Sequence, residues 1–181
     1  MKYISTLLVA LTLTATAAHA GTSMEVGSGS AVSEDFYSLR IKNSMPVGGG
    51  FNVIPELRLD SGKDSGKTSG NAKLGVYHDV LKAGPALVGT RISFIQGFGT
   101  AGRSNGWSVE PNLAVKAGQY TVGAAYEYGE AFKDGTLADV KTTKLSVSTP
   151  ITKKIDASLK YEDARGDNVR KTTFIGLTTK F

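Results

Sequence analysis

Residues 169–181 read VRKTTFIGLTTKF. Successive side chains of a β-strand point to opposite faces of the sheet, and the stretch alternates with that period. One face carries Thr173, Ile175, Leu177, Thr179 and Phe181. An aromatic ring is well accommodated at the headgroup level of a membrane, so the stretch predicts an amphipathic strand that ends at a membrane interface.

The N-terminal segment has the three parts of a secretory signal peptide. It contains Lys2 at its start, an apolar run over residues 4–17 and an Ala-His-Ala sequence at residues 18–20. These parts match the positive region, the hydrophobic region and the small-residue cleavage site of such peptides. We expect residues 1–20 to be removed after export and residues 21–181 to form one domain.

An amphipathic last strand with a terminal Phe181, in a chain that begins with a signal peptide, resembles bacterial outer-membrane β-barrel proteins. The resemblance rests on Thr173, Ile175, Leu177, Thr179 and Phe181. It implies location in the outer membrane and contact with outer-membrane lipid. It also implies that the barrel-assembly machinery is a partner, because in that family the last strand is the signal read during assembly.

The composition excludes several other classes of protein. The chain has no cysteine, so it can form neither a disulfide nor a thiolate site. After residue 20 no apolar run approaches the roughly 18 residues that a transmembrane helix requires. No stretch keeps a helical apolar period for three turns, and the chain is therefore predicted to be all-β.

Ten segments alternate between apolar residues on one face and polar or charged residues on the other. They are residues 23–29, 36–43, 50–60, 71–80, 86–96, 107–116, 119–128, 140–149, 154–162 and 169–181. A single-chain antiparallel barrel with both termini on one side needs an even number of strands. We predict a single antiparallel up-and-down transmembrane β-barrel of ten strands, with eight or twelve strands as alternatives.

The connections between these segments alternate in length. Polar stretches at residues 60–71, 97–106, 129–139 and 163–168 predict long loops at one end of the barrel. Short links such as LKAGP, AGQ and TPITK predict tight turns at the other end. This asymmetry resembles outer-membrane barrels, whose longer loops face the outside of the cell.

Aromatic residues on the apolar face separate a membrane barrel from a secreted β-sandwich, which would also alternate. They fall at two levels, with small aliphatic residues between them, as expected for the two interfaces of a bilayer. The level next to the long loops is predicted to contain Tyr37, Phe94, Trp107, Tyr128 and Tyr161, and the level next to the short turns Phe51, Tyr120 and Phe181.

The sequence of residues 21–181 does not predict an enzyme. His78 is the one histidine there, and no nucleophile or carboxylate is spaced to work with it as a catalytic group. The loop DSGKDSGK lacks the spacing of a calcium loop and the setting of a phosphate-binding loop. The basic residues lack interleaved stacking aromatics, so no nucleic-acid partner is expected. No metal or cofactor is predicted.

The polar face of the segments predicts the lining of the barrel. It carries ten cations and six carboxylates, a surplus of four positive charges. The predicted pore-lining residues are Arg40, Lys42, Arg58, Lys73, Arg91, Glu110, Lys116, Glu127, Lys144 and Lys160. The remaining charged residues of this face are Glu56, Asp79, Asp156, Glu162, Arg170 and Lys180.

Two functions fit such a lining. The first is a small porin-like channel for anionic or polar small solutes, since unpaired positive charge attracts anions. The second is a closed structural or adhesin-like barrel that acts through its outer loops, with salt bridges filling the interior. Residues 36–62 also resemble, over this one hairpin, the oligogalacturonate-specific porins, which implies basic tracks inside the barrel.

Overall fold

Each alternating segment of the sequence forms a β-strand in the computed structural model, which describes residues 21–99, 102–133, 136–166 and 169–179. Those ranges contain β1 Gly21–Ala31, β2 Asp35–Gly48, β3 Phe51–Gly62, β4 Thr68–Ala83, β5 Ala86–Gly99, β6 Gly102–Ala117, β7 Tyr120–Lys133, β8 Thr136–Pro150, β9 Ile155–Gly166 and β10 Arg170–Thr179. No helix in these ranges is long and apolar enough to cross a membrane.

The ten strands close into one barrel. Each strand pairs in antiparallel fashion with its neighbours in the chain, and β1 pairs with β10 to close the ring. The prediction of an all-β, up-and-down barrel of ten strands is confirmed, and the alternatives of eight and twelve strands are wrong. The predicted signal peptide, residues 1–20, lies outside the described residues, as do Lys180 and Phe181.

The C-terminal stretch of the sequence forms the closing strand, β10. In β10, Ile175 lies opposite Val26 of β1 on one side and opposite Leu159 of β9 on the other. The three side chains share the outer face, where Ile175 is 66% exposed. The first and last strands of the chain thus complete each other's hydrogen-bond ladders, and the barrel has no free sheet edge.

Most residues of the predicted long loops belong to paired β-strands. Gly99 lies opposite Gly102 at the end of the β5–β6 hairpin, and Lys133 lies opposite Thr136 at the end of the β7–β8 hairpin. Between β3 and β4 only residues 63–67 remain outside the strands. Ladder hydrogen bonds join backbone groups and do not require an alternating side-chain pattern. The polar ends therefore continue the hairpins, although their sequences predict loops.

The barrel is apolar outside and polar inside. Sixteen buried residues among those described are polar or charged, whereas four are hydrophobic: Phe36, Ile54, Ala164 and Phe174. The outer face exposes large aliphatic residues, among them Met24, Val26, Leu74, Val76, Ile92, Leu113, Val122, Leu145, Leu159, Ile175 and Leu177. A β-sandwich in water would bury these side chains, so the exposed aliphatic belt favours contact with lipid.

The aromatic residues predicted at the membrane interfaces lie on the outer face, except for Phe181, which is not among the described residues. Trp107 and Tyr128 meet edge to face next to the long hairpins, with ring centroids 6.0 Å apart. At the short-turn end, Phe51 stacks on His78 at 4.2 Å. The other interface aromatics, Tyr37, Phe94, Tyr120 and Tyr161, are exposed on the same face.

Candidate functional site: the charged barrel interior

The barrel interior is organised around Arg40 of β2, whose guanidinium reaches three carboxylates. Its nitrogen atoms lie 3.2 Å from Glu25, 3.5 Å from Glu56 and 2.7 Å from Glu162. Lys160 also binds Glu25, on the side away from Arg40. Burying a charge is costly unless it is paired, and each of these buried carboxylates has at least two cationic partners.

Glu162 connects Arg40 to a second arginine. Arg58 Nη1 donates to Glu162 at 3.0 Å, while Arg58 Nε donates to Asp60 at 2.9 Å. Arg170 completes this branch with a 2.8 Å bond to Asp60. Arg58 is in β3 and Glu162 is in β9, which are not neighbouring strands, so their contact crosses the interior.

Glu56 connects Arg40 to the opposite half of the barrel. Arg91 of β5 donates to Glu56 at 2.9 Å and to Glu110 of β6 at 3.2 Å. Lys144 of β8 then binds Glu110 from the other side. The ion pairs therefore run without interruption from β9, through β2, β3, β5 and β6, to β8.

The branch of ion pairs that runs through Glu56 and Arg91 ends at Lys73. Lys144 donates to Glu127 at 2.6 Å, and Lys73 of β4 donates to the other oxygen of Glu127 at 2.5 Å. We call this connected set the ion-pair layer. It comprises Glu25, Arg40, Glu56, Arg58, Asp60, Lys73, Arg91, Glu110, Glu127, Lys144, Lys160, Glu162 and Arg170.

An aromatic ring supports the centre of the layer. Phe174 of β10 is fully buried, with the guanidinium carbons of Arg40 and Arg58 at 4.2 and 5.1 Å from its ring centroid. A cation over an aromatic face is attracted by the ring quadrupole, and more strongly when water is excluded. Gly27 of β1 makes room for this ring, because a Cβ atom there would lie 2.7 Å from Phe174 Cδ1.

Two cavities lie on either side of the layer. The loop-side cavity, of about 390 Å³, extends towards the long hairpins and is lined in part by Asn71, Phe98 and Arg170. The turn-side cavity, of about 200 Å³, extends towards the short turns and is lined in part by Lys42 and Asn112. Four side chains line both cavities and form the constriction between them: Arg40, Glu56, Lys144 and Glu162.

The structure brings most of the predicted pore-lining residues into the interior. The ion-pair layer contains eight of them: Arg40, Arg58, Lys73, Arg91, Glu110, Glu127, Lys144 and Lys160. Lys42 lines the turn-side cavity but has no carboxylate within 4 Å among the described residues. Lys116 is exposed near the end of β6 and joins neither the layer nor a cavity wall.

Sequence reasoning missed two residues of the layer, Glu25 and Asp60, and the supporting ring of Phe174. Glu25 and Asp60 are 1% and 6% exposed and each binds two cations, and Phe174 lies between two arginines. Asp60 has the same parity as Glu56 and Arg58, and this parity could have identified it as an inward residue. It was overlooked because it stands at the start of a polar stretch that predicts a loop. The ion-pair layer and Lys42 together have eight cations and six carboxylates, a positive surplus of two within this set.

The described residues contain no group of three or more His, Asp or Glu side chains that could hold a metal ion. His78, the histidine considered above, lies at the rim with Nδ1 3.3 Å from the carbonyl oxygen of Gly50.

No protein-family model and no curated protein sequence matches the chain. Solved structures do match it across most of its length. The β domain of the Bordetella autotransporter BrkA has a TM-score of 0.61 at 11% identity, covering 90% of this chain and 99% of the other. The chain has the fold of outer-membrane β-barrels.

Two channels are also similar. An outer-membrane channel from Pseudomonas putida F1 gives a TM-score of 0.55 at 10% identity, covering 90% of this chain and 96% of the other. The KdgM porin gives a TM-score of 0.50 at 13% identity, covering 88% of this chain and 99% of the other. The resemblance to bacterial outer-membrane barrels is confirmed at the level of the fold. Because channels and an autotransporter domain share this fold, the fold by itself does not assign a function.

Proposed function

We propose that this protein is an outer-membrane β-barrel that forms a narrow pore for anionic or polar small solutes. The observation that carries the proposal is the pair of cavities that approach each other at one constriction. Arg40, Glu56, Lys144 and Glu162 line both cavities, so a solute entering from either side meets the same four charged groups. The exposed aliphatic belt and the two aromatic levels support insertion in a bilayer.

The selectivity follows from the charge of the interior. The ion-pair layer and Lys42 together have two more cations than carboxylates, and the surrounding barrel wall is a low-dielectric medium. Charge of one sign inside such a wall raises the local concentration of the opposite ion. Anions are therefore expected to enter more readily than cations. The volumes of the cavities, about 390 and 200 Å³, limit the solutes to small ones.

The protein is proposed to reach the outer membrane by export and barrel assembly, and to have no enzymatic activity. Residues 1–20 direct export, and the C-terminal strand is recognised by the barrel-assembly machinery. The KdgM porin has been solved in complex with disordered oligogalacturonate, and an acidic solute of that kind would suit the positive interior proposed here.

A closed structural or adhesin-like barrel is the second candidate, and the ion-pair layer favours it. The layer joins non-neighbouring strands, with Arg58 bound to Glu162 and Lys73 bound to Glu127 across the interior. Such contacts brace the barrel and narrow the path for ions. In this case the exposed hairpins at the long-loop end would carry the function.

Single-channel recording in a planar bilayer separates the two candidates. The refolded protein is expected to give small, discrete conductance steps, with a reversal potential in a salt gradient that indicates anion preference. Charge reversal at Lys116 provides a variant that changes the charge without breaking an ion pair, because this exposed lysine has no carboxylate within 4 Å among the described residues. Lys116→Glu should weaken the anion preference without disturbing the ion-pair layer.

Two results would count against the pore. A correctly folded protein that gives no conductance, with a heat-modifiable shift on gels as the test of folding, would favour the closed barrel. Cation preference in the wild-type protein would refute the electrostatic argument, even if the barrel conducts.

A further inference from the structure

Lys42 of β2 differs from the other cations inside the barrel. It is partly buried in the turn-side cavity, yet no carboxylate of the described residues lies within 4 Å of its ammonium group. The seven cations of the ion-pair layer each have at least one such partner. A cation withdrawn from water needs a counter-charge, so the position of Lys42 calls for one.

The nearest carboxylate on the neighbouring strand does not supply this charge. Glu56 lies directly opposite Lys42 in the β2–β3 register. Its carboxylate, however, binds Arg91 at 2.9 Å and Arg40 at 3.5 Å. Direct cross-strand neighbours are close enough to pair, yet Lys42 forms no ion pair with Glu56, whose two oxygens face Arg91 and Arg40 instead.

The other carboxylates of the turn-side cavity are also bound to other cations. Glu110 binds Arg91 and Lys144, and Glu162 binds two arginines. The cavity wall has five cations, namely Arg40, Lys42, Arg91, Lys144 and Lys160, against three carboxylates, namely Glu56, Glu110 and Glu162. Two of these cations also bind carboxylates behind the wall, Lys160 to Glu25 and Lys144 to Glu127. Among the described residues, Lys42 is thus the wall cation that has no carboxylate partner.

A hydroxyl group without a partner lies beside Lys42. Ser23 of β1 is opposite Lys42 in the β1–β2 register and is 3% exposed. Among the described residues, its Oγ atom has no hydrogen-bond partner. Buried hydroxyl groups nearly always form a hydrogen bond, so Ser23 is a donor available next to the unpaired ammonium group.

We propose that the turn-side cavity contains a binding site for one small anion, of the size of a phosphate or of a single carboxylate group, held by the ammonium group of Lys42. The anion supplies the counter-charge that Lys42 lacks. The cavity, at about 200 Å³, has room for one such group. The site rests on the interior of the proposed pore and gives that pore a specific anion-binding position.

Inorganic phosphate is the probe, and the stability of the folded barrel is the readout. A ligand that binds only the folded state raises the urea concentration at the unfolding midpoint as its own concentration rises. The protein is refolded in lipid vesicles, and unfolding is followed by the fluorescence of Trp107, the single tryptophan. Phosphate should raise the midpoint of the wild-type protein in a saturable manner.

Two lysine variants identify the site. Lys42→Met removes the ammonium group and keeps most of the side-chain length. It should need about tenfold more phosphate for the same stabilisation, which corresponds to about 1.4 kcal/mol of binding free energy. Lys116→Met is the matched control, because Lys116 also lacks a carboxylate within 4 Å among the described residues but lies exposed outside the cavity. Its phosphate response should equal that of the wild type.

The stability without phosphate provides a second test. If Lys42 serves an anion, Lys42→Met should be at least as stable as the wild type in the absence of phosphate, because a cation without a partner is removed. A clear loss of stability in this variant, or an unchanged phosphate response, would overturn the proposal.

These results are separable from the outcome for the pore. Phosphate stabilisation that depends on Lys42, in a barrel that does not conduct, would support the site and count against the pore. Anion-selective conductance, with equal phosphate responses in Lys42→Met and the wild type, would overturn the site alone.

Discussion

Replacement of Glu127 by glutamine is the sharpest test of the ion-pair layer, because it leaves one buried cation without a partner. Glu127 is 4% exposed and binds Lys73 at 2.5 Å and Lys144 at 2.6 Å. Lys144 retains Glu110 after the substitution, but Lys73 has no other carboxylate within 4 Å among the described residues. The side chain of Lys73 is 11% exposed, so little water is available to replace the lost partner.

The expected cost follows from this geometry. Removing one partner of a buried ion pair costs about 3–5 kcal/mol. Because the amide oxygen of glutamine can still accept a hydrogen bond from Lys73, we expect Glu127→Gln to lose about 3 kcal/mol, at the lower end of that range. The variant should nevertheless fold, since the other contacts of the layer remain.

Glu162→Gln is the matched control, because it makes the same chemical change at a similarly buried position, 5% exposed. Its two cationic partners keep other carboxylates: Arg40 retains Glu25 and Glu56, and Arg58 retains Asp60. The loss is then that of a hydrogen bond to a charged group, about 1.5–2 kcal/mol. The two variants should therefore differ by about 1 kcal/mol or more.

Urea unfolding in lipid vesicles, followed by tryptophan fluorescence, measures the free energy of unfolding of each variant. A third protein, Lys73→Met combined with Glu127→Gln, should regain part of the lost stability, because the unpaired cation is no longer buried. Equal losses in Glu127→Gln and Glu162→Gln, within about 0.5 kcal/mol, would refute the argument from partner number. So would a double variant that is less stable than Glu127→Gln.

Three further predictions concern the surface and the ends of the barrel. Val122→Arg places a charge on the lipid face, where Val122 is 49% exposed, and should cost about 2–4 kcal/mol in bilayer unfolding, whereas Asp64→Arg, in the loop between β3 and β4, should cost little. Deletion of Phe181 should reduce the amount of protein that reaches the outer membrane, measured by fractionation and heat-modifiable mobility, and wild-type levels would contradict the assembly role. Hydrogen bonds from the hydroxyl and the backbone N–H of Ser65 lower the pKa of Glu34 below 4.5. The contact between these two loops should therefore persist above that pH and be lost as the pH falls through the lowered pKa, and an NMR titration of the Glu34 carboxyl group should show the pKa rise in Ser65→Ala.

The number of strands and the polarity of their faces could be predicted from the sequence. The alternation of side chains is a local property of the pleated strand, so parity alone separates Leu57 and Val122, on the outer face, from Arg58 and Lys144 inside. The length of the polar connections was less informative. Glycine-rich ends such as residues 97–99 and 102–106 pair as strands, because their backbone hydrogen bonds form whether or not their side chains alternate.

The pairing of charges inside the barrel was decided only by the tertiary structure. Parity places Lys42 and Glu56 on the same face of neighbouring strands, and the sequence would pair them. The closed barrel brings Arg91 to Glu56 instead and sets Arg40 between Glu56 and Glu162. Contacts across the interior depend on the closure of the ring and on the relative positions of strands that are not neighbours. Two-residue alternation contains no information on either, because it specifies the side of the sheet and not the partner across the barrel.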